Sequence, residues 1–150
     1  TKAVDAASIS YKLSNLKWIT PFHYGKNPEK EISLIKNTIE ILKNEKRVKM
    51  VITNYQFFSL ILEEDLNIPN RWNLHHHNLY PIENHKHFYY YKNFFSKNLK
   101  SNKIEVIYIV KSHPKEKIDI EHFKVYLDDI CFKDRVISEI LSMHVIQKCT

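Results

Sequence analysis

One glycine, Gly25, serves all 150 residues, and that scarcity limits what the chain can fold around. A loop that cradles phosphate needs glycine, because the backbone must approach the ligand more closely than a Cβ allows. Neither a Walker loop nor a dinucleotide fingerprint can be built around Gly25 alone. The segment after the apolar run at Val51 reads Asn54-Tyr55-Gln56-Phe57, bulky rather than open. The pattern argues against a nucleotide-binding Rossmann enzyme.

Periodicity sets the expected elements. Lys49 to Asn54 and Ile104 to Val110 are short, nearly continuous apolar runs, as in central strands buried on both faces. Leu16 to Thr20 alternates and stops at Pro21, which suits a short strand. Asn27-Pro28-Glu29 offers a capping residue, a proline for the first turn and an acid at the positive dipole end. After it, Ile32, Ile35, Ile39 and Leu42 share one helical face. Tyr55 to Leu62 turns into a short helix ending near Asp65. Glu83 to Ser101 is a further helix, with Phe88, Tyr91, Phe94, Phe95 and Leu99 on one face and Lys86, Lys92, Lys97, Lys100 and Lys103 on the other. The tail shows helical patterns around His122–Ile130 and Val136–Ile146. This alternation predicts a single α/β domain over 1–150, a small, mostly parallel sheet covered by helices in a Rossmann-like three-layer arrangement without a nucleotide-binding loop.

A hydrophobic share of 43% supplies a packed core, so wholesale disorder is not expected. The net charge of +6 invites a nucleic-acid partner. Bidentate readout of phosphates and bases relies on Arg, however, and only Arg47, Arg71 and Arg135 are present. The expectation is therefore no nucleic acid, with an anionic membrane surface as the partner the same charge would attract. No run approaches the roughly 20 apolar residues a spanning helix needs. The first residue is Thr1 rather than Met, which suits a piece of a longer protein with spans elsewhere. Cys131 and Cys149 either pair in an oxidising compartment or sit reduced; Cys131, between Ile130 and Phe132, reads as buried.

Chemistry-bearing clusters are few. His75, His76, His77, His85 and His87 could offer imidazoles to zinc, but no acid or Cys completes a recognised spacing, and the bland reading is a solvated loop. Glu63-Glu64-Asp65 and Asp128-Asp129 lie near predicted helix ends and read as surface or capping acids. Spacing alone proposes no Ser-His-Asp or Cys-His set. No catalytic residue, metal or cofactor is expected.

Four stretches carry a family resemblance: Leu16-Lys17-Trp18-Ile19-Thr20-Pro21, Lys49 to Phe57, Pro69-Asn70-Arg71-Trp72 and Ile104 to Ile109. They resemble the hydrophilic C-terminal region of bacterial polytopic glycosyltransferases of the GT-C type, the dolichyl-phosphate-mannose–protein mannosyltransferase-like group. The similarity covers Leu16 to Val110. It implies a domain that follows a bundle of transmembrane helices, its main partner, and lies on the extracytoplasmic side of the membrane. The superfamily takes sugars from polyprenyl-phosphate donors, and its catalytic acids sit in early loops of the membrane part, outside this chain. The resemblance thus implies a non-catalytic, acceptor-docking domain, with Tyr55, Gln56, Arg71 and Trp72 facing the acceptor and Arg71 suited to a phosphate or carboxylate. The alternative is a stand-alone module that binds nucleic acid or protein.

Overall fold

A computed structural model of the chain describes residues 3–19, 27–70 and 81–149. The chain divides into two compact units, Thr1–Lys46 with Phe57–Glu64, and Arg47–Gln56 with Asp65–Thr150.

In the first unit, strand β1 (Ala3–Asp5) pairs antiparallel with β2 (Lys17–Ile19), the segment whose alternation predicted a strand. Helix α1 spans Pro28–Asn44 and begins as the sequence predicts, with Asn27 Oδ1 accepting from the Lys30 amide at 3.0 Å. Its buried positions include Ile32, Ile35, Ile39 and Leu42, one stripe along the helix. Buried Glu31 accepts from Trp18 Nε1 at 3.1 Å, tying α1 to β2. The short helix α2 (Phe58–Leu62) ends at Glu63, whose φ of 54° is left-handed.

The second unit holds a four-stranded sheet in the order β3-β4-β6-β5. β3 (Lys49–Thr53) and β4 (Val106–Val110) are the two apolar runs, and every residue of both is buried. β5 (Ile130–Val136) and β6 (Leu141–Lys148) form a hairpin, with β6 inserted between β4 and β5. Only β3–β4 is parallel among the described strands; β4–β6 and β5–β6 are antiparallel. The sheet is therefore mixed and the architecture α+β. The expectation of a mostly parallel, Rossmann-like three-layer fold is overturned.

The error lies in the tail. Ile137, Ile140, Leu141 and Val145 are spaced like a helical stripe, and this spacing gave a helix over Val136–Ile146 where a hairpin forms. Ser138 decides the outcome locally: its Oγ accepts from the Ile140 and Leu141 amides at 3.3 and 3.1 Å, while its own N–H donates to Leu141 O at 3.1 Å. That side-chain turn competes with helix propagation. Branched Val136, Ile137, Ile140, Val145 and Ile146 favour the pleated alternative. The other predicted tail helix, His122–Ile130, shrinks to a single turn, α4 (Glu121–Lys124).

Helix α3 (Phe88–Ser101) starts five residues later than Glu83 and ends as expected. Its C-terminus is a Schellman closure: Ile104 N–H bonds Leu99 O at 3.0 Å and Lys103 N–H bonds Lys100 O at 3.2 Å. Lys103 adopts φ 53° at the position glycine normally fills. In a chain so poor in glycine, Asn15, Glu63, Asn67 and Asp129 take the other left-handed positions among the described residues. The core of this unit joins Phe88, Phe95 and Leu99 of α3 to Met50, Ile52, Ile107 and Ile109 of the sheet, with Phe123 and Tyr126 from the α4 region. Phe95 stacks on Phe123 with centroids 5.5 Å apart, and Tyr91 meets Tyr126 edge-on at 4.8 Å. Each fully buried ring of this kind is worth about 2–3 kcal/mol in water-excluded area.

Candidate functional site

Ligand crevices in sheets with parallel strands tend to open at the strands' carboxyl ends. Here that rim is built from the segments leaving β3 and β4. Glu116, buried, accepts from Asn54 Nδ2 at 2.7 Å through Oε1 and from Ser112 Oγ at 2.8 Å through Oε2. The Ser112 amide also donates to Glu116 Oε2. Tyr55 donates its hydroxyl to Ser112 O at 3.1 Å, and its amide donates to Thr53 Oγ1 at 3.0 Å. Gln56 Nε2 returns to Thr53 O at 3.0 Å. The two loops are thus cross-braced by a carboxylate and a phenol. Both Glu116 oxygens are engaged, so the acid ties the two loops of the rim together.

Of the four acceptor-facing candidates, Tyr55 is buried and bound within this brace, and Gln56 is exposed beside it. Arg71 and Trp72 lie outside the described residues, as do His75, His76, His77, Pro21 and Gly25. Among the described residues no three His, Cys, Asp or Glu side chains gather as a metal could require. His87 N–H donates to His85 Nδ1 at 3.2 Å, a local turn contact.

The acids hold the surface roles their positions suggest. Glu63 pairs with Lys12 at 2.6 Å, and that hydrogen bond and charge hold its carboxyl below the usual range. Asp65 Oδ1 caps the Asn67 amide at 2.9 Å, and Asp128 pairs with Lys92 at 2.7 Å. Cys131 is bonded to Cys149 with Cα atoms 5.0 Å apart, which ties the start of β5 to the chain just beyond β6. Cys131 is exposed, not buried as its neighbours suggest: Ile130 and Phe132 alternate with it on the other face of β5.

One constellation was invisible to spacing. Ser142 Oγ lies 2.9 Å from His144 Nε2, and His144 Nδ1 lies 2.7 Å from Asp134 Oδ1. Two residues apart on one strand, Ser142 and His144 share a face, and the register sets Asp134 directly across from His144. A hairpin prediction for the tail would have revealed the pairing; a helix prediction hid it. The connectivity is that of a hydrolase triad. Its setting differs, because Ser142 sits within a strand flanked on both sides, whose backbone N–H groups serve the ladders to β4 and β5. An oxyanion needs such donors converging beside the nucleophile. The line instead satisfies a buried histidine on the face shared with Ile107 and Ile109.

The remaining surface feature is the outward side of α3. Tyr89 and Tyr90 are 74% and 78% exposed, and Phe94, expected on the core face, is 44% exposed at its margin. Beside the first turns a shallow depression of about 560 Å³ is bordered by Asn84, Tyr89, Lys92, Lys124 and Asp128. No described helix is long and apolar enough to cross a membrane. Comparison of the chain with family models, curated proteins and solved structures finds no match.

Proposed function

We propose that this chain is a non-catalytic, acceptor-docking domain of a membrane-embedded glycosyltransferase that uses polyprenyl-phosphate sugars, on the extracytoplasmic side. The observation that carries the reading is the braced rim at the carboxyl ends of β3 and β4, with Gln56 exposed beside the Glu116 network. A rim cross-braced by hydrogen bonds favours holding a partner in place. The Cys131–Cys149 bond supports an oxidising compartment. The resemblance of Leu16 to Val110 to GT-C enzymes supplies the parent's chemistry.

The test is sugar transfer from a polyprenyl-phosphate donor by the full-length protein in membranes. Gln56→Ala and Arg71→Ala should raise the acceptor KM while leaving kcat near its original value. Turnover by the isolated 150-residue chain, or a full-length protein without transferase activity, would overturn the reading.

A further inference from the structure

We infer that the outward face of α3 is a docking surface for an anionic lipid bilayer. The helix Phe88–Ser101 contains no Asp or Glu and carries Lys92, Lys97 and Lys100, with Lys86 just before it and Lys103 just after. Lys97, Lys100 and Lys103 are exposed and make no ion pair among the described residues. Lys92 differs, being held by Asp128 at 2.7 Å on the flank toward α4. On a helical projection Lys100 and Lys97 lie roughly 80° and 140° around from Lys92.

Aromatic rings share the side of Lys97 and Lys100. Tyr90, Phe94 and Lys97 follow one another at helical spacing, with Tyr89, Asn93 and Lys100 in the adjacent row. Burial in the core accounts for Phe88, Phe95 and Leu99, but not for Tyr89 and Tyr90, which are about three-quarters exposed. Rings with a polar tip, interleaved with long cationic stems, match the depth profile of a headgroup layer. The ring sits at the boundary, and the ammonium reaches lipid phosphate. Nucleic acid is the competing polyanion, but it is usually held in a groove that tracks the strand, often with Arg. These groups project from one helix face without an Arg among them. The inference does not depend on whether the parent transfers sugar.

Flotation of the whole chain with vesicles tests it. At low ionic strength the protein should float with equal parts phosphatidylglycerol and phosphatidylcholine and stay behind with phosphatidylcholine alone. Each lysine at such a surface adds about fivefold to partitioning, so the Lys97→Ala/Lys100→Ala double variant should bind roughly 25-fold more weakly. Tyr90→Ser/Phe94→Ser should also lose binding while keeping the original melting temperature. Equal affinity for both vesicles, no affinity for either, unchanged binding by the lysine variant, or tighter binding to a short single-stranded oligonucleotide would each overturn it.

Discussion

His144 Nδ1 and Asp134 Oδ1 face each other at 2.7 Å across the β5–β6 ladder, with the imidazole buried and the carboxylate at the rim. Removing the carboxylate leaves a buried ring nitrogen without its acceptor, which costs about 1–3 kcal/mol. Asp134→Ala should lower stability by that amount in urea unfolding, with an unchanged m-value. Ser142→Ala should cost less. An active-site fluorophosphonate should leave Ser142 unlabelled, because the backbone N–H groups of its strand serve the ladders to β4 and β5; stoichiometric labelling would show a working nucleophile instead.

The Cys131–Cys149 bond closes a loop with a sequence separation of 18 around the whole hairpin. A closure of this length constrains the unfolded chain by about 3 kcal/mol. Reduction, or Cys131→Ala with Cys149→Ala, should lower the unfolding free energy by up to this amount and leave the far-ultraviolet spectrum native at low temperature. Mass spectrometry with and without reductant checks that the pair is formed.

Alkali should weaken the second unit through its tyrosines. Burial pushes the Tyr126 hydroxyl up to about 12, and burial raises Tyr91 as well. A tyrosine in the unfolded chain ionises near pH 10. The neutral phenol is therefore favoured by folding, so its stabilisation is complete below about pH 10 and is lost as pH climbs toward 12. Melting temperatures measured across this interval should fall, and Tyr126→Phe should fall less steeply. The same variant also forgoes the 3.0 Å bond to Pro81 O, so it starts from a lower value at neutral pH.

Lys103 occupies a left-handed position with φ 53° that closes the Schellman turn of α3. A Cβ there costs about 1 kcal/mol that glycine avoids. Lys103→Gly should raise stability by about that amount in chemical denaturation. In contrast, Phe95→Ala, at a fully buried ring stacked on Phe123, should cost about 3–5 kcal/mol.

The elements that the sequence disclosed are those whose signal is local. Asn27 and Pro28 announce α1 because capping acts within one turn, and the runs at Val51 and Val106 announce strands because full burial demands unbroken apolarity. Phe94 defeats the face assignment of α3 because ring hydrophobicity and ring burial are different properties. The tail misled because Ile137, Ile140, Leu141 and Val145 satisfy a helical template as well as a strand, while the deciding bonds at Ser138 are invisible to periodicity. That single misassignment turned a mixed sheet into a parallel one and concealed Asp134, Ser142 and His144 as neighbours. The Glu116 brace was equally hidden, since Asn54 and Glu116 meet only once β3 and β4 align.

The order in which the strands leave the ribosome differs from the order in which they lie. β6, the last of the described strands in chain order, fills an interior place between β4 and β5. Until it arrives, β4 keeps one bare edge, with only β3 beside it. A nascent chain halted before Leu141 would present that apolar edge to any other strand at hand. Completion of the hairpin thus covers that edge and leaves β3 and β5 as the outer strands of the sheet.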